Sequence, residues 1–213
     1  MKKVLFLVTE LHRPVGGLHR YSIELFSAWK NALEGKTAPF EPMPISIRDP
    51  SVPLSDLRFS SEYSDFIEKH PKTLVYEGMR GGIKCLFLES SLTDEEKNRF
   101  HGELWVKYRI KSDKAAFWEY YRMLNAYWKA VPEFADFLIK QKKEDIALID
   151  AQDWLAFPAG FLTREKIKRP LNCRFHSGEF GRSLGHPDFD APPVLIETAA
   201  LQEADYLQGV SVH

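Results

Sequence analysis

The sequence predicts an α/β fold, a Rossmann-like parallel sheet with helices on both faces, in one domain over residues 1–213. Three observations predict it. The apolar run Val4 to Val8 suits a strand covered on both faces, and after the glycine pair Gly16 and Gly17 the residues Leu18, Tyr21, Leu25 and Trp29 recur at helical spacing. In the second half, short apolar runs alternate with helical segments, the mark of βαβ units. Finally, 213 residues with 44% hydrophobic and 28% charged side chains suffice for a substantial core and are ordinary for a globular protein.

The elements follow in order. After the first strand and helix, "FEPMPISI" (Phe40 to Ile47) reads as a second strand, and the Pro- and Ser-rich stretch from Asp49 to Ser61 as a loop. "TLVYEGMRGGIKCLFLES" reads as two strands joined by a turn at Gly81 and Gly82. Thr93 and Glu96 form a capping-box pattern, so a helix is expected to start there. A long helix is expected from about Asp113 to Lys142, whose aromatics Phe117, Tyr120, Tyr121, Tyr127 and Trp128 belong to the core. "DIALIDA" is a buried strand, Phe157 to Lys166 a short helix, "PLNCRFHS" a strand, Val194 to Ala204 a helix, and "YLQGVSV" a last strand.

Composition removes several function classes. A formal net charge of −1 gives no global attraction to nucleic acid or acidic membrane. No apolar run approaches the length of a membrane span, and the N-terminus lacks the small-residue cleavage site of a signal peptide, so a cytoplasmic protein is expected. Cys85 and Cys173 lie far apart inside apolar runs, where they are small buried side chains, neither a zinc motif nor a disulfide framework. The dinucleotide fingerprint G-x-G-x-x-G is absent, because Leu18, His19 and Arg20 follow Gly17.

Ligands of open parallel sheets sit beyond the carboxyl ends of the strands. Those ends carry Thr9, Glu10 and the Gly16–Gly17 turn; then Asp150, Gln152, Asp153 and Trp154; then His176, Ser177, Glu179 and Arg182. Glycines between strand and helix let a ligand touch the main chain, and the helix N-terminus offers unpaired N–H groups to an anion such as phosphate; the same glycines also serve as a plain tight turn. Carboxylates, a histidine, an arginine and a tryptophan at an exposed strand end suit a sugar and its phosphate.

These segments, taken in order, resemble the N-terminal domain of GT-B glycosyltransferases, specifically the glycogen/starch synthase group and its retaining relatives. The correspondence runs through "TELHRPVGGLHRYSIEL", "GGIKCLFLES", "SDKAAFWEYYRMLNAYWKAV", "DIALIDAQDWLAFPAGFL", "CRFHSGEFGRS" and "IETAALQEADYLQGVS", nearly the whole chain. The family patterns are S-E-x-x-P…G-G-L, H-x-H-D-W, a strand ending in H-N or H-S-x-E, and E-x-x-A-L-x-x-A-D. The resemblance implies the N-terminal half of a GT-B architecture, acting on a nucleotide sugar and a glucan acceptor, with no metal or cofactor. It also implies a C-terminal donor-binding domain that this chain does not contain, and no transferase activity from this chain alone.

Carried over residue by residue, the resemblance implies that Gly16 and Gly17 contact the donor diphosphate or transferred sugar. Where the synthases place a lysine, this chain has Pro14 with Arg13 beside it, so Arg13 is the candidate cation and both ADP- and UDP-glucose stay open as donors. His176 is the candidate catalytic histidine near the transferred sugar; otherwise it is a strand-end histidine bonded to backbone. Glu179 and Arg182 pair with each other or with substrate. Asp153 and Trp154 match H-D-W, with Gln152 in place of the histidine, and Trp154 stacks on sugar or packs inward. Glu10 matches S-E, near the acceptor or as a solvated loop carboxylate. Two rival readings are a saccharide-binding module without turnover and a sugar-nucleotide epimerase of the same fold.

Overall fold

A computed structural model describes residues 1–13, 17–112 and 119–210, with the Phe180 side chain and those of residues 119–121 outside the description. Eight strands form one sheet: β1 (Lys3–Leu7), β2 (Glu41–Ile47), β3 (Arg58–Phe59), β4 (Thr73–Arg80), β5 (Ile83–Ser90), β6 (Ile146–Gln152), β7 (Leu171–Phe175) and β8 (Tyr206–Gly209). Their spatial order is β3-β4-β5-β2-β1-β6-β7-β8. From β5 through β8 every neighbouring pair is parallel, while the β3–β4 and β4–β5 pairs are antiparallel. The sheet is thus mixed, because the two residues Gly81 (φ 54) and Gly82 (φ 76) close a tight hairpin that turns β5 back beside β4. A side chain at Gly81 would place its Cβ 2.5 Å from the Ile23 carbonyl of the first helix, so this glycine is required twice over.

Helices α1 (Gly17–Glu34), α2 (Ser64–Lys69), α3 (Asp94–Tyr108), α4 (Glu119–Lys140), α5 (Phe157–Ile167), α6 (Glu179–Arg182) and α7 (Pro192–Glu203) complete the chain. On one face α1 closes a small cluster around Phe6, Val8, Phe26 and Phe87. On the other, α4, α5 and α7 cover the main core, which includes Leu5, Ile45, Leu88, Tyr127, Trp128, Phe134, Ile149 and Ile196. Strand alternation feeds both: Leu5 and Leu7 point to the main core and Phe6 to the other cluster.

Several expectations are met closely. The capping box at α3 is complete, with the Glu96 N–H donating to Thr93 Oγ1 at 3.2 Å and the Thr93 N–H to Glu96 Oε2 at 2.8 Å. Tyr127 and Trp128 are wholly buried, as are Cys85 and Cys173. Phe117 lies outside the described residues, and so do the side chains of Tyr120 and Tyr121. The stretch expected as a loop is more ordered than its Pro and Ser content suggests. It contains β3, which pairs with β4, and at its last residue a turn of 3-10 helix, Ser61–Tyr63, begins and leads into α2. Arg58 fixes the short strand by pairing with Glu77 of β4 at 2.5 Å. Among the described residues no helix is long and apolar enough to cross a membrane.

Candidate functional site

The chain leaves β1 in both directions across the sheet, so β1 and β6 flank the switch point where the carboxyl ends of parallel strands open a crevice. Around it the structure gathers the ends of β1, β6 and β7, the start of α1, and the short α6. Gly16 lies outside the described residues; Gly17 is the first residue of α1. No left-handed φ is recorded for it, and among the described residues a Cβ built on it meets nothing within 4 Å. Among those residues neither backbone strain nor crowding calls for a glycine there, whereas the need to keep this space open for a ligand would. The first turn of α1 holds no acidic residue, which leaves its positive dipole end uncompensated.

Glu10, just past β1, is not a solvated loop carboxylate. Burial, and then the charge of Asp153, push its carboxyl up to about 7, against the opposing pull of His19 and Arg182. Its Oε2 is buried without a hydrogen-bond partner among the described residues. Its carbonyl accepts a bond from His19 Nδ1 at 3.0 Å, which ties the end of β1 to α1.

Asp153 follows β6 in the left-handed region (φ 62) and is buried. Its N–H donates to the Arg174 carbonyl at 2.8 Å and its Oδ1 accepts from the Trp154 N–H at 3.0 Å. Burial raises its carboxyl and the Arg182 guanidinium opposes that rise. Trp154 is only 7% exposed and belongs to the main core, so of its two expected roles the structure shows inward packing.

Arg182 stands at the centre of an acidic group. Its guanidinium lies 3.6 Å from Asp153, 3.4 Å from Glu179 and 3.4 Å from Glu197 of α7. The Glu197 carboxylate also accepts the Glu179 N–H at 3.0 and 2.9 Å, which caps the start of α6. Glu179 and Arg182 thus do pair, within a larger set whose third carboxylate the sequence reading missed. The signal was available: Glu197 is the one charged residue in "PPVLIETAAL", and a charge in an apolar helix needs a partner.

His176 sits just beyond β7. It is not bonded to backbone: its Nε2 lies 2.8 Å from Gln152 Oε1, and its ring meets the Tyr21 ring edge-on at 4.6 Å. Burial, then the nearby Arg174 charge, lower the imidazole to about 4, so it is neutral at ordinary pH. Beneath it Arg174 bridges Asp150 Oδ2 (3.0 Å) and the Tyr21 hydroxyl (3.1 Å), and Asn172 donates to Asp150 Oδ1 at 2.7 Å. Asp150 is thereby committed to a buried pair. Arg13, the expected cation, is instead half-exposed and 3.4 Å from buried Asp49 at the end of β2, whose second oxygen holds Ser51.

The site is an open rim. A 310 Å³ cleft lined by Phe66, His70, Thr73, Ser90 and Ala126 shares no residue with it. Among the described residues no group of three or more His, Cys, Asp or Glu could hold a metal ion.

Two groups here make opposite contributions to the pH dependence of stability. Glu10 keeps its proton up to about pH 7 in the folded protein but releases it near 4.5 unfolded, so it removes stability as pH rises between those values. His176 binds a proton below 6.5 when unfolded but only below about 4 when folded, so it removes stability as pH falls through that window. Glu10→Gln is expected to stabilise the chain at about pH 8, by ~1 kcal/mol after allowance for solvent screening, with the gain gone below about pH 4.5. Denaturant titrations of both proteins across pH measure it; a difference that does not vary with pH would contradict the assignment.

No family model matches the sequence, and no curated protein does. The structure is similar to the catalytic domain of starch synthase IV from Arabidopsis thaliana, bound to ADP and acarbose, with a TM-score of 0.56 and 14% identity over 97% of this chain and 44% of that one. It is also similar to sucrose-phosphate synthase from Thermosynechococcus elongatus, with a TM-score of 0.50 and 14% identity over 97% of this chain and 42% of that one. This chain therefore spans less than half the length of either protein. The fold of this chain is thus the α/β, Rossmann-like fold that it shares with parts of these two synthases.

Proposed function

We propose that this chain is the N-terminal, acceptor-side domain of a retaining glycosyltransferase of the glycogen/starch synthase type. It would move glucose from ADP- or UDP-glucose to an α-1,4-glucan, with a separate donor-binding domain completing the cleft. One observation carries the reading: Glu10, Gly17, Asp153, His176 and the Arg182 group, from five separate stretches, converge on one rim of the parallel sheet at its switch point.

The geometry divides the work. As the bond from the sugar C1 to the diphosphate breaks and the acceptor oxygen bonds to C1, negative charge gathers on the departing diphosphate, whose oxygen takes up the proton that the acceptor hydroxyl loses. The open space over Gly17 and the α1 N-terminus suit that group and favour the transition state over the ground state. Carboxylates would repel a diphosphate but accept bonds from sugar hydroxyls, so the Glu10, Asp153 and Arg182 group belongs to the acceptor or the transferred sugar. Neutral His176, against Gln152 and Tyr21, can bond a sugar hydroxyl without adding charge. The acidic group alone would also suit a module that binds saccharide without nucleotide.

The test is glucose incorporation into malto-oligosaccharide from ADP- and UDP-glucose, by this chain, by the full-length gene product, and by its His176→Ala variant. Activity in the full-length protein alone, with the variant reduced ~100-fold or more, is the expected result. Undiminished transfer by the variant removes His176 from the site. Absence of transfer from every protein, with saccharide binding intact, would replace the transferase by the binding module.

A further inference from the structure

We infer that Gln152 is a positioning residue that holds His176 as its Nε2–H tautomer and so presents Nδ1 as the hydrogen-bond acceptor of the site. The role assigned to Nδ1 rests on the transferase reading above; the tautomer does not.

The argument is one of donors and acceptors along a single face of the sheet. Asp150 and Gln152 are two residues apart on β6 and share that face, opposite Asn172 and Arg174 of β7. The Asp150 carboxylate already accepts from Asn172 and Arg174. A carboxylate can only accept, so the Gln152 amide beside it turns its NH₂ end toward Asp150, although that buried nitrogen reaches no partner at full hydrogen-bond distance among the described residues. This leaves Oε1 for the histidine, at 2.8 Å from Nε2. A carbonyl oxygen can only accept as well, so the proton of the neutral ring lies on Nε2. Nδ1 then carries the lone pair, and it has no partner among the described residues.

The other groups facing the ring preserve this arrangement. Tyr21 of α1 fixes the ring plane through its edge-on contact and is itself held by Arg174. Arg174 of β7 is the charged group nearest the ring and disfavours the doubly protonated form. Asp150 of β6 is neutralised in its pair with that arginine. An acceptor at Nδ1 suits a sugar hydroxyl as donor and would repel a phosphate oxygen, which places the histidine on the sugar and not on the diphosphate.

The experiment uses the ¹⁵N-labelled chain itself, with long-range proton–nitrogen correlation of the histidine rings and His176→Gln to identify the signal. At neutral pH the expected spectrum has a pyrrole-type Nε2 and a pyridine-type Nδ1 in one tautomer. Gln152→Leu is expected to give averaged shifts from mixed tautomers, and Gln152→Glu to raise the titration of His176 by roughly one to three pH units. A wild-type ring protonated on Nδ1 or already averaged would overturn the inference, and so would a Gln152→Glu ring that titrates as the wild type does. Should the leucine variant fail to fold, the wild-type spectrum and the near-isosteric glutamate variant decide the matter. In the full-length gene product, Gln152→Glu is expected to move the acidic limb of the kcat–pH profile upward by the same roughly one to three pH units, with little change in KM. If the spectra behave as expected and the kinetics do not, it is the transferase reading that fails and not the tautomer.

Discussion

Trp128→Ala is expected to destabilise the protein by about 3–5 kcal/mol, the range for deleting a fully buried large aromatic side chain. Trp128 is wholly buried at the centre of α4, in the main core. Its indole N–H also donates to the Leu155 carbonyl at 2.7 Å. Alanine would leave both a cavity and an unpaired buried carbonyl, in the turn between β6 and α5 that carries Asp153. Loss of roughly 6–20 °C in Tm follows for a chain of this size. Trp128→Phe separates the terms: it keeps most of the volume, loses only the donor, and is expected to cost ~1–2 kcal/mol. The check is chemical and thermal denaturation of the three proteins, and an alanine cost below about 1 kcal/mol would show that the site can collapse around the gap.

The fold was legible wherever its cause is local. The β4–β5 hairpin declared itself through Gly81 and Gly82, and α3 through Thr93 and Glu96, because turn and cap chemistry act over two to four residues. The alternation after Asp145 gave β6, α5, β7, α7 and β8 in order. What escaped was β3 and the short helices α2 and α6. A two-residue strand has no periodicity to detect, and it exists because Glu77 and the Val75 carbonyl of β4 supply its partners. Tertiary context there overrides a loop-like composition.

The candidate site was legible in outline and not in its wiring. A general rule about strand ends led to Glu10, Asp153 and His176, and all three stand at the rim. Trp154 obeyed a different demand, since a large apolar ring beside β6 gains more from the core than from solvent. Arg13 found a nearer anion in Asp49. Tyr21 could not have been recognised: its position in the helical stripe reads as packing, and its contacts with His176 and Arg174 join α1 to a strand about 150 residues later.

Gly17→Leu in the full-length gene product is expected to reduce transfer by ~100-fold or more while leaving Tm within a few degrees of wild type. Stability should be spared because Gly17 is helical and an added Cβ meets nothing within 4 Å among the described residues. Gly17→Ala is expected to be neutral to slightly stabilising, by about 0.5 kcal/mol, since alanine narrows the unfolded ensemble and favours helix. Activity should nonetheless fall in the order glycine, alanine, leucine, because the side chain grows into the space proposed for the diphosphate and bars its approach to the α1 N–H groups. Gly81→Ala is the contrasting control. Its positive φ and the Ile23 carbonyl 2.5 Å from the new Cβ predict lost stability. It supplies no group to the β1–β6 rim, so the protein remaining folded is expected to keep its activity. Parallel measurements of Tm, kcat and KM on these variants distinguish a glycine kept for backbone shape from one kept for a ligand. Full activity in Gly17→Leu would place the diphosphate elsewhere.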